Sequence, residues 1–83
     1  MVYEILFTEK ASQQLSKLDK PTKERITSTL ERIRIRPEHF IKKLVGEKGY
    51  KLRVGNYRII LDLNRNKLIV LVLKIGHRKN IYK

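Results

Sequence analysis

The period of the hydrophobic pattern changes once along this chain, and that change restricts the fold class. In the first part, Ala11, Leu15 and Leu18 recur at i, i+4 and i+7, the spacing of one helix face. From Tyr50 onward, apolar residues alternate with polar ones, as in strands with one buried face. Because 83 residues are enough for one domain only, the pattern predicts a single α+β domain over residues 1–83.

Caps and breakers predict where the first elements begin and end. Residues 2–7 are β-rich and predict a strand, after which Thr8 provides an N-cap for a helix. The run Asp-Lys-Pro at 19–21 ends this helix and starts a second one, which Pro37 terminates. The apolar stripe of the second helix consists of Ile26, Leu30 and Ile33. Two helices joined by so short a turn predict a helical hairpin.

The remainder predicts a loop and three strands. Residues 37–49 show no period and predict a surface loop with room for one helical turn. The side chains expected to anchor that loop to the core are Phe40, Ile41, Leu44 and Val45. Strands are predicted at 50–54, 57–63 and 68–75, the last apolar on both faces and therefore central. The predicted order is β-α-α-β-β-β, a two-helix hairpin packed on one face of a mainly antiparallel four-stranded sheet.

The turn at Gly55 and Asn56 predicts the register of the first hairpin. A two-residue turn pairs Val54 with Tyr57, so that Arg53 lies opposite Arg58 on the face away from the helices, beside Lys51. Two arginines directly opposite each other destabilise the pair, and an anion between them would remove that cost. A register slip of one residue would send the whole set to the other face.

Positive charge is concentrated in one part of the chain. The formal net charge is +12, with six basic and five acidic side chains in residues 1–33 but fourteen basic and three acidic in residues 34–83. The second part therefore carries +11 of the total. Such an excess is typical of a protein that binds a polyanion such as nucleic acid.

Composition excludes several other classes. The chain has no cysteine, which excludes disulfides, cysteine zinc sites and thiol nucleophiles. The two histidines, His39 and His77, do not predict a metal site, and no cofactor is implied. The longest apolar run, 68–73, is far shorter than the ~20 residues of a spanning helix, and residues 1–4 do not resemble a secretory signal. We therefore expect a cytoplasmic protein with no membrane association.

The residue types in the basic part favour one kind of chemistry. Its only carboxylates are Glu38, Glu47 and Asp62, too few for a two-metal nuclease, and the serines all lie in the predicted helices, which disfavours a Ser-His-Asp site. Lysine, arginine, histidine and tyrosine remain, and they can stabilise an in-line phosphoryl transfer without a metal. The convenient nucleophile is then the RNA 2′-hydroxyl, which predicts cleavage of RNA rather than DNA.

A second basic cluster follows the last strand, at residues 75–83. Gly76 allows a bend there, and we expect a phosphate to bind between Arg58 and Arg78, flanked by Lys51. Structural explanations stay open beside this one. His77 is also typical of a turn, Tyr82 of a terminal tail or a core anchor, and exterior strand cations are commonly only solvated.

These segments resemble the RelE/ParE toxin superfamily over the whole chain. The similar motifs are LRVGNYRII at 52–60, IGHR at 75–78 and IY at 81–82, with LSKL at 15–18 and KLVG at 43–46. The resemblance implies the β-α-α-β-β-β fold derived above. It also implies a toxin that is neutralised by a cognate RelB-like antitoxin. RelE-type members cut mRNA in the ribosomal A site without a metal, whereas ParE-type members inhibit DNA gyrase.

Site roles follow from the resemblance by motif. It implies that Lys51 belongs to the active site, that Arg58 contacts phosphate, that Arg78 supports the leaving group and that Tyr82 orients the 2′-hydroxyl. His77 is a further candidate for proton transfer. The cations expected to bind mRNA and ribosomal RNA are Lys42, Lys43, Lys48, Arg53 and Lys79.

The chain departs from the RelE pattern in several places. A second active-site lysine of that pattern falls near Gly49, where either Lys48 replaces it or nothing does, and a loop arginine is replaced by Val45. The spacing from Arg78 to Tyr82 is also shorter than the pattern has it, and its C-terminal helix is missing. Three functions therefore remain open: an mRNA endonuclease, a gyrase inhibitor, and an RNA- or ribosome-binding module without catalysis.

Overall fold

A computed structural model describes residues 2–77 of the chain. Its helices are α1 (Glu9–Ser16) and α2 (Lys20–Ile33), with a 3-10 turn at Pro37–His39. Its strands are β1 (Glu4–Phe7), β2 (Lys42–Lys43), β3 (Tyr50–Val54), β4 (Tyr57–Asn64) and β5 (Ile69–His77). No helix in this part of the chain is long and apolar enough to cross a membrane.

The strands form one sheet in the order β1-β5-β4-β3-β2. Only β1 and β5 run parallel, and the other neighbours are antiparallel. The prediction of an α+β fold with a mainly antiparallel sheet and a two-helix layer is therefore confirmed. The predicted strand count of four was wrong, because β2 adds a fifth strand at one edge.

Strand β2 has no sequence signal because it consists of two exposed lysines only. It forms because the chain on either side of it is held in place. Ile41 is buried on one side, and on the other the Leu44 N–H donates to the Gly49 carbonyl at 3.0 Å. Lys42 and Lys43 are thereby held beside β3 and pair with Lys51 and Tyr50.

The first helix begins at the predicted N-cap, and the second begins within the predicted run at 19–21. The Thr8 hydroxyl accepts a hydrogen bond from the Ala11 N–H at 3.1 Å, and Asp19 accepts one from the Thr22 N–H at 3.4 Å. Hydrogen bonds from the side chain and the backbone N–H of Thr22 lower the pKa of the Asp19 carboxyl. The Asp19 N-cap of α2 therefore stabilises the fold at pH values above the usual carboxyl pKa. This stabilisation is lost as the pH falls through the lowered pKa of Asp19.

One face of the sheet packs against the helices to form the core. Alternate residues of β3 and β4 point toward α1 and α2, where Ile59 and Leu61 are completely buried. From α2, Ile26, Leu30 and Ile33 fill the same layer, as their helical spacing predicts. The hairpin register is as predicted, with Arg53 opposite Arg58. Gly55 has a φ of 59° and Asn56 does not share that positive φ, the pattern of a type II′ turn.

The loop prediction for residues 37–49 was right for the helical turn and only partly right for the anchors. Ile41 is 9% exposed, but Phe40 is 45% and Val45 98% exposed. Pro37 and Ile41 bind the segment to the core, and the chain between them turns Phe40 outward. Val45 lies among bends between β2 and β3, beyond the reach of the core.

A β-bulge in β5 changes which residues face the helices. Ile60 pairs with Lys74 and Leu61 pairs with Val72, so Leu73 has no partner in β4. Before the bulge Val70 and Val72 are buried, and after it the buried residue is Ile75. The extra residue inverts the alternation, and Lys74 and Gly76 consequently lie on the face away from the helices.

Helix α1 completes the hydrogen bonding of β5 beyond the end of β1. Strand β1 pairs with β5 only as far as Phe7 and Val72. Beyond that point the Thr8 hydroxyl donates to the Leu73 carbonyl at 3.1 Å, and the Ile75 N–H donates to the Gln14 Oε1 at 2.7 Å. Two side chains thus take the place of a strand neighbour at the bulge.

We predict that Gln14→Leu destabilises the protein by about 1–3 kcal/mol, because it leaves the partly buried Ile75 N–H without an acceptor. Gln13→Leu is the matched control, since that exposed side chain reaches only Glu9, at 3.5 Å. Urea unfolding followed by circular dichroism measures both variants. Equal midpoints for the two would contradict the role given to Gln14.

We predict that Gly49→Ala is more destabilising than Gly46→Ala. Both glycines have positive φ, 108° and 76°, which costs an alanine about 1–2 kcal/mol. A Cβ on Gly49 would also lie 3.1 Å from the Leu61 carbonyl oxygen, whereas one on Gly46 would meet nothing within 4 Å. Thermal unfolding of the two variants tests this, and a Gly49→Ala protein as stable as Gly46→Ala would disprove the steric argument.

Candidate nucleic-acid interface

The register of the sheet aligns cations on the face away from the helices. Lys42 pairs with Lys51, which pairs with Ile60, which in turn pairs with Lys74. Paired residues of neighbouring strands point to the same side of a sheet. Three lysines from three strands therefore lie in one row across this face.

The next row carries the two arginines of the hairpin. Arg53 pairs with Arg58, and Arg58 pairs with Gly76 of β5. Because glycine has no side chain, Gly76 itself places no side chain beside Arg58 in this row. The Arg58 side chain is half-buried, and its Nε atom is buried. This guanidinium therefore belongs to the floor of the surface rather than to its rim.

Between the rows lies a cavity of about 190 Å³, which we call the cationic groove. Its lining consists of Phe40, Lys42, Lys51, Leu52, Arg53 and Arg58. Four of these six residues are cations, and none is a carboxylate or a histidine. A groove of this composition attracts an anion and offers it several hydrogen-bond donors.

Most of the charge in the groove is not neutralised by carboxylates. Within residues 2–77, Lys42, Lys51 and Arg53 take part in no ion pair. Glu38 instead contacts Arg65 at 3.4 Å, and the pKa of that guanidinium is raised mainly by the Tyr50 hydroxyl and to a smaller extent by Glu38. Lys42 and Lys51, which lie opposite each other, therefore repel each other at a cost to stability, and Arg53 lies opposite Arg58 in the same groove.

Four of the residues predicted from sequence meet in this groove: Lys42, Lys51, Arg53 and Arg58. Lys43 pairs with Tyr50 and so points to the opposite side of the sheet, and Lys48 is exposed among the bends before β3. His77 also lies on the helix side, where its ring contacts Tyr57 edge-on with centroids 5.5 Å apart. The predicted residues Arg78, Lys79 and Tyr82 lie outside the described part of the chain.

The turn alternative for His77 was wrong, because His77 is the last residue of β5. The bulge is the reason for its position. Without the extra residue at Leu73, His77 would share a face with Arg58, and with it the ring turns toward the helices.

Two residues of this surface were missed in the sequence. Lys74 joins the lysine row, and its only sequence signal is a charge interrupting an apolar strand. Phe40 lines the cationic groove although its aromatic side chain predicted a core position. The structure also explains the first departure from the RelE pattern. Position 49 has a φ of 108°, and a Cβ there would lie 3.1 Å from the Leu61 carbonyl oxygen, so a lysine at this position would be strained.

The arrangement is chemically suited to phosphate. An arginine fork gives a phosphate two parallel hydrogen bonds, and lysine ammonium groups add charge from the sides. Among residues 2–77, no three His, Cys, Asp or Glu side chains are placed to hold a metal ion together. What the described residues supply is therefore concentrated positive charge on a rigid sheet.

Solved structures similar to this chain include toxin–antitoxin complexes. A chain of the RelBE2 complex from Mycobacterium tuberculosis is 25% identical with a TM-score of 0.86, covering 94% of this chain and 100% of that chain. A chain of the intact RelBE complex from E. coli is 26% identical with a TM-score of 0.78, covering 90% and 95%. A chain of the archaeal RelE–RelB complex from Pyrococcus horikoshii is 23% identical with a TM-score of 0.78, and it shares the fold over 96% of this chain and 99% of that chain.

Sequence comparison gives the family. No curated protein sequence matches the chain significantly. A family model described as the ParE toxin of the type II toxin–antitoxin system parDE matches residues 5–82. This match includes both helices, the cationic groove and the five strands except Glu4, the first residue of β1. The chain therefore belongs to the ParE toxin family of type II toxin–antitoxin systems.

Proposed function

We propose that this toxin is an mRNA endonuclease that acts in the ribosomal A site without a metal. The observation that carries the proposal is the cationic groove, where Lys51 and Arg58 meet with Lys42 and Arg53 and with no carboxylate from residues 2–77. The similarity to RelE chains, which extends over at least 90% of this chain, supports the nuclease branch of the superfamily. Ribosomes and mRNA would be its working partners, and its site of action the cytoplasm.

The proposed reaction is a transesterification within the RNA strand. The 2′-oxygen attacks the adjacent phosphorus, the bond from phosphorus to the 5′-oxygen breaks, and the leaving oxygen takes up a proton. The products are a 2′,3′-cyclic phosphate and a 5′-hydroxyl. Charge accumulates on the non-bridging phosphate oxygens during this step, and preorganised cations stabilise it.

The residues divide this work according to their position. Arg58 lies in the floor of the groove and binds the scissile phosphate, while the Lys51 ammonium group faces it from β3. Arg53 and Lys42 hold neighbouring phosphates. Arg78 supports the leaving oxygen and Tyr82 orients the 2′-hydroxyl, as the family resemblance implies. His77 would have to turn away from Tyr57 to transfer a proton in the groove.

A RelB-like antitoxin is the proposed inhibitor. The similar solved chains were determined in RelB complexes, and the basic surface around Lys42 and Lys51 is complementary to an acidic polypeptide segment. Such a segment would cover the groove and neutralise the cations of the opposed pairs Lys42–Lys51 and Arg53–Arg58.

We predict that Arg58→Ala lowers mRNA cleavage by about 10²-fold or more, because it removes a preorganised donor from the developing charge. The assay is a translation extract with ribosomes stalled with an empty A site, in which mRNA 5′ ends are mapped. Lys51→Ala should show a comparable loss. Lys67→Ala is the charge-matched control, since Lys67 is exposed in the turn before β5.

Intact mRNA in the wild-type reaction would overturn the proposal. If Arg58→Ala and Lys67→Ala cleaved equally well, cleavage would not occur in the groove. Product ends distinguish the chemistry as well, since a 5′-phosphate would require an attacking water in place of the 2′-hydroxyl.

Inhibition of DNA gyrase is the second candidate, and the family match to a ParE toxin favours it. A supercoiling assay with purified gyrase and relaxed plasmid separates the two. The nuclease proposal predicts no inhibition at toxin concentrations that cleave mRNA completely. Inhibition of supercoiling without any cleavage would replace the nuclease by this second function.

A further inference from the structure

A second groove lies across the edge of β3 from the first, between that strand and α2. It has a volume of about 340 Å³, and we call it the helix-side groove. Its polar lining comprises Arg25, Ser28, Thr29, Arg32 and Arg53. Neither Arg25 nor Arg32 forms an ion pair within residues 2–77, and no carboxylate lines this groove. Charge is thus concentrated here as it is in the cationic groove.

The two grooves are continuous because they share Phe40, Leu52 and Arg53. Strand β2 pairs only with Tyr50 and Lys51, so residues 52–54 have no strand neighbour on that side within the described part of the chain. A ligand can therefore pass over the sheet edge at Arg53 without meeting another strand. The path runs from the cationic groove on one face to Arg25 and Arg32 on the other.

Phe40 lies where the two grooves meet, and its backbone is anchored there. The flanking residues Pro37 and Ile41 are buried, and the Phe40 N–H donates to the Pro37 carbonyl at 3.0 Å. Its side chain is nevertheless 45% exposed and lines both grooves. An exposed aromatic ring in fixed position among cations is the arrangement on which bases of single-stranded nucleic acid stack.

Two guanidinium groups converge at the tip of the hairpin. The Arg25 Nη1 lies 3.1 Å from the position that a Cβ on Gly55 would occupy, and the Arg53 Nε donates to the Gly55 carbonyl at 3.5 Å. Gly55 thus gives Arg25 the space to reach the turn. Two like charges near one turn repel each other, and a phosphate between them would relieve that repulsion.

We propose that the two grooves form one track for single-stranded RNA, in which Phe40 stacks on a base next to the cleavage site and Arg25 and Arg32 bind phosphates farther along. The inference rests on the proposed function and extends it, because it names the part of the substrate that the reacting groups do not touch. An exposed aromatic ring among cations favours RNA over an acidic peptide. An acidic peptide would pair with the cations, but only RNA has bases that stack on the ring.

The test is fluorescence anisotropy of the full chain with a labelled 2′-O-methyl RNA of about 12 nucleotides, a length that fills such grooves. This RNA lacks the 2′-hydroxyl and is not cut. Phe40→Leu should weaken binding on the order of tenfold, and Phe40→Tyr should restore it, because tyrosine stacks and leucine does not. Unfolding midpoints of both variants confirm that the fold is intact.

Salt dependence separates stacking from charge. Arg25→Gln with Arg32→Gln should weaken binding and reduce the slope of log K against log salt by about 0.7 for each phosphate that the protein no longer neutralises. Phe40→Leu should leave the slope unchanged. The double variant Lys10→Gln with Lys17→Gln is the charge-matched control, since Lys10 lies on α1 and Lys17 caps its end, outside both grooves.

Each outcome bears on a different claim. If the wild type cuts ribosome-bound mRNA but RNA affinity is indifferent to Phe40 and Arg25, the track is wrong and the proposed function stands. If Phe40→Leu and the Arg25 and Arg32 changes weaken only the binding of a glutamate-rich peptide, the surface binds an acidic polypeptide, and the RNA assignment is overturned. If the wild type neither cuts mRNA nor binds the RNA at low salt, the proposed function falls and the track with it.

Discussion

The β-bulge at Leu73 is the constraint on which the candidate site depends. The last strand must bury Val70 and Val72 in its first half and Ile75 in its second, which a regular alternation does not allow. The unpaired residue Leu73 resolves this conflict. Beyond the end of β1, the side chains of Thr8 and Gln14 form hydrogen bonds with the Leu73 carbonyl and the Ile75 N–H of β5. The same bulge brings Lys74 into the lysine row and Gly76 beside Arg58. Core packing and the cationic face are therefore set by a single irregularity.

The cationic face is built at a cost to stability. Lysines 42 and 51 lie opposite each other, as do arginines 53 and 58, and among residues 2–77 no carboxylate lines the groove that they form. The apolar layer behind the sheet offsets this repulsion, because Ile59 and Leu61, the neighbours of Arg58 and Ile60 along β4, are completely buried. An anion bound in the groove would be stabilised by the charges that destabilise the free protein. The same charges would suit both the RNA and the acidic inhibitor that we propose.

Much of this architecture was predictable because local rules and packing agree. Thr8 and Asp19 are good caps followed by apolar stripes, and both helices begin there. The Gly55 turn permits only one register that buries Leu52 and Ile59 together, so the opposition of Arg53 and Arg58 followed from sequence. Strand β2 was not predictable, because two lysines carry no strand pattern and pair only where the buried Ile41 places them. The prediction that Phe40 is buried was wrong for a related reason. Hydrophobicity predicts burial, but in this segment Pro37 and Ile41 are the residues that pack in the core.

The sequence by itself determined the change of period, the helical hairpin, the register of the β3–β4 hairpin and the concentration of charge after residue 33. These depend on contacts between residues close in the chain, which local physical rules describe well. Tertiary structure alone decided which face Lys74 and His77 occupy, because the bulge arises where β5 must fit β1, β4 and the first helix at once. It also decided that Arg25 and Arg53, 28 positions apart in the chain, meet at one glycine. No pattern along the chain encodes that meeting, since it is fixed by how the second helix packs on the sheet.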